Sequence, residues 1–281
     1  ADNSAMSTAK NTSQTLAFIG GGNMASAIIG GLIKQGTPSQ NLLVVEPFEE
    51  ARQRLQAQFD IRVLSKADPQ LSDAGLVVWA VKPQIFKEAA QQAGKFCDKA
   101  LHFSVAAGIR SDSIAHWLGT ERVIRAMPNT PALVGLGQTG LFARAAVTAA
   151  DKARVAQVVA TTGHLIWVKD ESLLDAVTAI SGSGPAYVFF FIEAMVEAGV
   201  KMGLTAEQAT QLAIGTFEGA SQLAKTANEP PAVLRERVTS KGGTTYAALT
   251  SMQQAHMSEL FQAALQAAQQ RAHELGDEFG A

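Results

Sequence analysis

The chain has 281 residues, a formal net charge of −2 and 47% apolar residues. That length allows one large domain or two medium ones with a sizeable core. The balanced charge shows no basic block of the kind that binds nucleic acid, and no acidic tail. The lone cysteine, Cys97, excludes an internal disulfide and a cysteine-based zinc site, and suits a reducing compartment such as the cytoplasm.

Residues 1–15 are small and polar, which predicts a flexible N-terminus without the apolar core of a signal peptide. Met6-Ser7 would serve as a natural start, with Ala1–Ala5 as an added leader, and the intact mass of the native protein decides this. Leu16–Ala25 then runs Leu-Ala-Phe-Ile-Gly-Gly-Gly-Asn-Met-Ala. Gly20, Gly22 and Ala25 fit G-x-G-x-x-G/A, with an apolar strand before and a small, apolar helix opening after. Gly20 would permit the tight turn, Gly22 a close approach of pyrophosphate, and Ala25 the packing of helix on strand. The helix N-terminus would supply N–H donors and positive dipole to the phosphates. An ordinary glycine turn is the competing reading.

Leu42–Glu46 reads as a second strand ending in an acid, near where a dinucleotide fold places its ribose contact. Glu46 would accept from both ribose hydroxyls and favour NAD over its 2′-phosphate; a solvated acid is the alternative. Arg52 and Arg54 fall far along the following helix, 49–59. Arg62–Leu64 is a short strand. Gly75–Val81 is a continuous apolar run, as a central parallel strand should be, and Lys82-Pro83-Gln84 stops it. Helix 85–96, strand His102–Ala107, helix 109–118 and strand Arg122–Met127 follow, the last running into Pro128-Asn129-Thr130-Pro131. This alternation predicts a parallel, doubly wound sheet. Strands near 139–143 and 165–168 flank a helix capped by Thr148 and Asp151, which ends near Thr162.

From Glu171 onward the pattern is helical. The expected architecture is therefore an α/β Rossmann-like doubly wound domain over 16–168 and an all-α domain over 169–281. Residues 176–192 carry no charge, but Ser181-Gly182-Ser183-Gly184-Pro185 interrupts them and Glu193 and Glu197 follow. A buried helix opening near Pro185 suits this better than a membrane span. Thr205 and Gln208 form a capping box for the next helix, whose stripe includes Ala209, Leu212, Ala213, Thr216, Phe217, Ala220 and Leu223. One last helix is expected after Ser240–Thr245. Pro185–Met202 is apolar almost all round, with Tyr187, Val188, Phe189, Phe190, Phe191 and Ile192 in succession. Such a helix is expected to pack against a second chain.

Ala80–Gln84, Arg125–Pro131, Ser181–Pro185 and Ser240–Thr245 expose backbone and small polar side chains. Each alone suits a structural turn. Ser240–Thr245 also has the composition of an anion nest ahead of a helix, able to hold a small carboxylate.

Together these segments resemble the pyrroline-5-carboxylate reductase family. The resemblance rests on Phe18–Ala25, Ala80–Gln84, Met127–Pro131, Ala179–Tyr187 and Val238–Thr245, which occur in order over nearly the whole chain. It implies NAD(P)H-dependent reduction of the cyclic imine 1-pyrroline-5-carboxylate to L-proline, the last step of proline biosynthesis. It also implies that Gly20, Gly22, Asn23, Met24, Ala25 and Glu46 bind cofactor, with Ala80, Val81, Lys82, Pro83, Ala106, Ala107 and Gly108 along its path and Asn129 near the nicotinamide. Ser240, Gly242, Gly243 and Thr244 would seat the substrate carboxylate, Glu171 would lie by the substrate, and Thr245 would be the catalytic group bonding the ring nitrogen. A homodimer is implied, and dimers that assemble into decamers. The family commonly uses NADPH, whereas Glu46 argues for NADH, so both stay open. Lys241 stands where many members carry proline.

A hydroxy-acid dehydrogenase on the same architecture would need a lysine or histidine to move the alcohol proton. The nearest lysine after Gly184 is Lys201, and His164 and His256 have no evident partner acid. A non-catalytic nucleotide sensor would need the first glycine loop but not the donors of Ser240–Thr245. No metal site is expected, because the histidines show no close ligand spacing.

Overall fold

The computed structural model describes residues 15–280. The expected flexible N-terminus and the question of Met6 lie, apart from Thr15, outside the described residues. The first half alternates β1 (Thr15–Ile19), α1 (Asn23–Lys34), β2 (Leu42–Val45), α2 (Glu49–Phe59), β3 (Arg62–Leu64), β4 (Ala74–Trp79), α3 (Pro83–Ala93), β5 (Leu101–Ser104), α4 (Ser111–Leu118) and β6 (Val123–Met127). Then come β7 (Gly137–Ala143), α5 (Ala149–Ala160) and β8 (Gly163–Trp167). These strands form one eight-stranded sheet in the order β3-β2-β1-β4-β5-β6-β7-β8.

Both faces of the sheet are covered, as its continuous apolar strands require. Phe18, Val44, Val78 and Phe103 pack on one face with Ile28, Ile29, Leu55 and Val155 of α1, α2 and α5. Their strand neighbours Ala17, Val45, Val77 and Trp79 pack on the other with Phe86 and Ile114 of α3 and α4. The expected parallel sheet holds for six strands and fails at one junction: β7 runs antiparallel to β6. The physical reason is the connection. Residues 128–136 contain only the short 3₁₀ turn Thr130–Val134, whereas a parallel crossover needs roughly a dozen residues or more. Because β1, β2, β4, β5 and β6 are mutually parallel, their carboxyl ends share one edge. The strand order reverses between β1 and β4, and that is where ligands bind in such sheets.

Beyond the sheet lie α6 (Leu173–Val177), a π-helical turn (Thr178–Gly182), α7 (Gly184–Lys201), α8 (Ala206–Thr226), α9 (Pro231–Arg237), α10 (Thr244–Gln254) and α11 (Met257–Phe279). The chain divides into two compact units, and the second comprises Ser183–Ala268. The first takes everything up to Gly182 and regains the chain from Gln269. This differs from the boundary expected at 168/169. The change from strands to helices precedes the change of packing partner, since α6 lies on β7: a methyl on Gly140 would come within 2.8 Å of Val177. The returning end of α11 is held by Arg110, whose guanidinium donates to Asp277 at 2.7 Å and to the His273 carbonyl at 3.0 Å.

Within the second unit α8 opens on the expected capping box, with Thr205 and Gln208 bonded reciprocally. Helices α7 and α8 approach closely because small residues meet: a methyl on Gly199 would lie 2.9 Å from the Ala209 side chain. Tyr187 and Phe191 pack edge-on against Phe261 at ring separations of 5.7 and 5.6 Å. The single last helix expected from sequence is two, α10 and α11, broken at His256 with φ 57°. The buried helix expected at Pro185 is instead largely uncovered in the single chain: Phe189 and Phe190 are 64% and 67% exposed. Leu173–Lys201 is a continuous helical run of 29 residues, long and apolar enough to cross a membrane.

Candidate cofactor and substrate sites

The first site lies at the carboxyl edge of the sheet. The chain leaves β1 at Gly20, whose N–H donates to the Val45 carbonyl at 2.9 Å. Gly20 has φ +97°, and a methyl there would sit 2.4 Å from the Ala80 carbonyl oxygen. Only glycine fits both demands. A methyl on Gly21 would strike Leu55 at 2.6 Å. Gly22 differs: its φ is −79° and a methyl would meet nothing within 4 Å. The fold itself does not require glycine there, so the open space above it fits a ligand's close approach. Gly22 is the N-cap of α1, and Asn23, Met24 and Ala25 form its first turn, whose N–H groups have no intrahelical acceptor. Ala25 is fully buried against the sheet. These residues therefore fit a nucleotide diphosphate on donor geometry and space.

Glu46 ends β2 and is buried. Its carboxylate accepts from the Gly21 N–H at 3.3 Å and from the Phe48 N–H at 3.2 Å. Both oxygens thus hold the backbone of the two adjoining loops. Arg52, distant in sequence terms, folds back over the same turn and donates to the carbonyls of Glu46 at 2.9 Å and Pro47 at 2.7 Å. A guanidinium therefore stands where sequence spacing alone placed only an acid.

After β4, Ala80 donates to the Ile19 carbonyl at 2.8 Å. Val81 packs partly against the core, Lys82 is the N-cap of α3, and Pro83 takes its first position, where a missing N–H costs nothing. After β5, Ala106 is buried and Ala107 exposed. Gly108 has φ +74° and faces Leu275. Asn129 follows β6. Its side chain donates to the Ser181 carbonyl at 3.0 Å and accepts from the Gln138 N–H at 2.8 Å, tying this loop to the π turn.

Glu171 is placed differently from the other expected substrate residues. Its carboxylate accepts from the Ser111 N–H at 2.7 Å, the Ser111 hydroxyl at 2.5 Å and the Arg125 guanidinium at 3.0 Å. Arg125 is 4% exposed. Arg144 donates to the same hydroxyl at 3.1 Å. Glu171 thus caps α4 and neutralises a buried cation, a structural task that spacing could not reveal. One signal was present: Arg125 interrupts an otherwise apolar strand.

The second site belongs to the other unit. Ser240–Gly243 forms a tight turn in which the Gly243 N–H donates to the Ser240 carbonyl at 3.0 Å. Gly242 has φ +77°, and a methyl on Gly243 would come 2.7 Å from the Ser240 hydroxyl. Gly243 is the N-cap of α10, with Thr244 and Thr245 in its first turn. Free N–H groups, a left-handed glycine and two hydroxyls make a small anion cradle. Lys241 is exposed beside it.

A third polar cluster is buried under β4 and β5 and touches neither site. The Trp79 indole donates to His102 Nδ1 at 3.0 Å, and His102 Nε2 lies 3.1 Å from the Cys97 carbonyl. Burial, outweighing the Cys97 carbonyl contact and assisted by the Arg122 charge, lowers the His102 pKa to about 4. Burial, reinforced by Asp98, pushes the Cys97 thiol up to about 12, so it is inert as a nucleophile.

Comparison with known proteins matches two stretches of the chain to family models. Residues 171–275 match the family model described as pyrroline-5-carboxylate reductase dimerisation, and residues 15–108 match NADP oxidoreductase coenzyme F420-dependent. A pyrroline-5-carboxylate reductase of Pseudomonas aeruginosa is 44% identical over 267 residues, covering 94% of this chain and 98% of the relative. The structure of one from Coxiella burnetii superposes with a TM-score of 0.87 at 37% identity, covering 94% of this chain and 99% of that one. A Plasmodium falciparum pyrroline carboxylate reductase with NADP bound gives 0.83 at 28% identity, over 93% of this chain and 98% of that one. With both glycine cradles in place and likeness extending end to end, the chain belongs to the pyrroline-5-carboxylate reductase family of NAD(P)-dependent oxidoreductases.

Proposed function

We propose that this chain reduces 1-pyrroline-5-carboxylate to L-proline with NADPH. The observation that carries the reading is the pair of backbone cradles, one built for a diphosphate and one for a small carboxylate. Gly20–Ala25 hold the diphosphate, flanked by Ala80–Pro83 and Ala106–Gly108. When bound, the reduced nicotinamide supplies a hydride to the imine carbon. Ser240, Gly242, Gly243 and Thr244 receive the substrate carboxylate on N–H and hydroxyl donors, which fixes the ring. Thr245 orients the ring nitrogen. A neutral hydroxyl is a weak acid, so its contribution is alignment rather than proton donation, and a protonated imine needs no stronger acid. Asn129 positions the loop after β6 through its two backbone bonds.

NADPH is preferred on two grounds. Both Glu46 oxygens are engaged by backbone N–H groups, and the Arg52 guanidinium stands at the same turn, suited to a 2′-phosphate. The relative from Plasmodium falciparum carries NADP. The exposed aromatic and aliphatic face of α7 and α8 supports a homodimer through the helical unit, since monomeric soluble proteins rarely leave so large an apolar patch bare. Five such dimers would make a decamer, and the mass of the protein in solution tests both states. The buried thiol suits the cytoplasm. The test is nicotinamide oxidation followed by absorbance with pyrroline-5-carboxylate. The expected kcat/KM is at least ~10-fold higher with NADPH than with NADH, equivalent to about 1.4 kcal/mol of discrimination. No oxidation with either nucleotide overturns the assignment.

A further inference from the structure

The loop that follows β5 is pinned from two sides. On the sheet side the Val105 N–H donates to the Trp79 carbonyl at 3.0 Å, and the Ala106 N–H to the Ser104 hydroxyl at 3.2 Å. On the other side lie the last two turns of α11. They cover Gly108, which is left-handed at φ +74°: a methyl there would come 3.3 Å from the Leu275 Cβ. Gly108 and Ile109 are buried, while Ala107 is left exposed. Arg110 grips the same two turns through Asp277 and the His273 carbonyl, and a cation at that end of a helix also suits its dipole. The guanidinium lies over Gly276, where a methyl would stand 2.6 Å from Nε and 2.8 Å from Nη2. Gly276 is buried within a helix, where glycine is the poorest choice after proline. Space for the guanidinium is the reason for it. The match to the dimerisation model stops at residue 275, so Gly276 and Asp277 lie beyond the residues it assigns to self-association.

We propose that the end of α11 is a positioning element for the cofactor, fastened by Arg110, Gly276 and Asp277. It holds the loop after β5 in the shape that receives the nicotinamide nucleotide. The inference rests on the proposed function, which sets Ala106–Gly108 along the cofactor's path. The physical reason is the composition of that loop. Two alanines and a glycine carry no side chain that could brace the backbone, and glycine takes left- and right-handed φ about equally. Uncovered, Gly108 would sample both, and each nucleotide would have to order the loop as it bound. Packing under α11 orders the loop beforehand, which strengthens binding by pre-organisation. A loop in its receptive shape only about one fifth of the time raises the apparent Kd ~5-fold, because affinity falls with the competent fraction. Arg110 acts through the loop, so turnover at saturating NADPH stays near native.

Gly276→Ala tests the fastening without altering a charge. The nearest neighbours of the new methyl are the far end of the Arg110 side chain, and alanine is the better helix former, so melting should stay at or above the native value. Fluorescence titration should give a Kd for NADPH raised ~5-fold. Steady-state rates should show the KM for NADPH rising with it while kcat stays within about 2-fold. Arg110→Ala should show the same rise, and adding Gly276→Ala to it should change nothing further, because the group displaced is already gone. Ala107→Glu separates the inference from its premise: a carboxylate set beside the nucleotide should weaken NADPH binding at least ~10-fold. If Ala107→Glu binds NADPH as the native protein does, the loop is off the cofactor's path, and premise and inference fall together. If Ala107→Glu weakens binding while Gly276→Ala and Arg110→Ala keep the native Kd, the end of α11 is a structural cover and the inference alone is overturned.

Discussion

Two neighbouring glycines provide a decisive contrast, because the structure gives them different reasons to exist. In Gly20→Ala the new methyl lies 2.4 Å from a backbone oxygen of Ala80 at φ +97°. Left-handed strain costs ~1–2 kcal/mol, and displacing the end of β4 adds ~1–3 kcal/mol of overpacking. At ~2–4 °C per kcal/mol for a protein of this size, melting should fall by roughly 4–20 °C. Gly22→Ala meets open space at an ordinary φ of −79°. Alanine caps a helix less well than glycine by several tenths to ~1 kcal/mol, and the stiffer unfolded chain returns about 0.4–1 kcal/mol. Melting should therefore stay within ~2 °C. The cost appears instead in cofactor binding. Pushing a phosphate off one charged hydrogen bond costs ~1.5–3 kcal/mol, a Kd for NADPH raised ~10- to 150-fold. Melting curves with and without NADPH and a nucleotide-fluorescence titration read both quantities. A Gly22→Ala variant that binds NADPH as tightly as the native protein would refute the diphosphate assignment.

Other expectations follow from the remaining geometry. His102 titrates near 6.5 when unfolded and about 4 when folded, so its contribution is complete above pH 6.5 and is lost as pH falls toward 4. The loss amounts to ~3 kcal/mol, and urea midpoints between pH 7 and 4.5 should fall less steeply in His102→Gln. Glu171→Ala strips the buried Arg125 of its counter-charge, a change worth ~3–5 kcal/mol, and Arg125 Nε already has no partner among the described residues. Denaturation should show that loss while the folded fraction keeps its substrate KM. Unchanged stability with a large rise in KM would instead make Glu171 a substrate contact. Thr245→Ala should lower turnover ~100-fold through misalignment with cofactor Kd unchanged; equal losses in both would argue against a positioning role.

Much of the sheet was legible because local chemistry and tertiary packing agree there. Apolar runs marked β1, β2 and β4, and both capping boxes, at Thr148 and Thr205, formed as their side chains dictate. The misses have physical causes. The reversal at β7 was written in the shortness of residues 128–136, a signal of connection length rather than residue type. The break at His256 carries neither glycine nor proline; a histidine adopts the left-handed conformation with no composition cue. The return of α11 to the sheet unit depends on Arg110 and Asp277, which lie 167 residues apart, beyond any periodicity.

Glu46 shows where spacing stops being informative about function. An acid at the end of β2 is the feature that distinguishes ribose from its phosphate ester, and by position alone it argues for NADH. Position does not say where the carboxylate points. Here its two oxygens accept from the Gly21 and Phe48 N–H groups of the adjoining loops. Arg52, about one turn into the adjacent helix, reaches the same backbone from outside. The charge presented at this corner is therefore set by which of two groups the backbone consumes. A carboxylate absorbed by the loop leaves the guanidinium as the charge available to the nucleotide, and the selectivity expected at this corner follows from that balance.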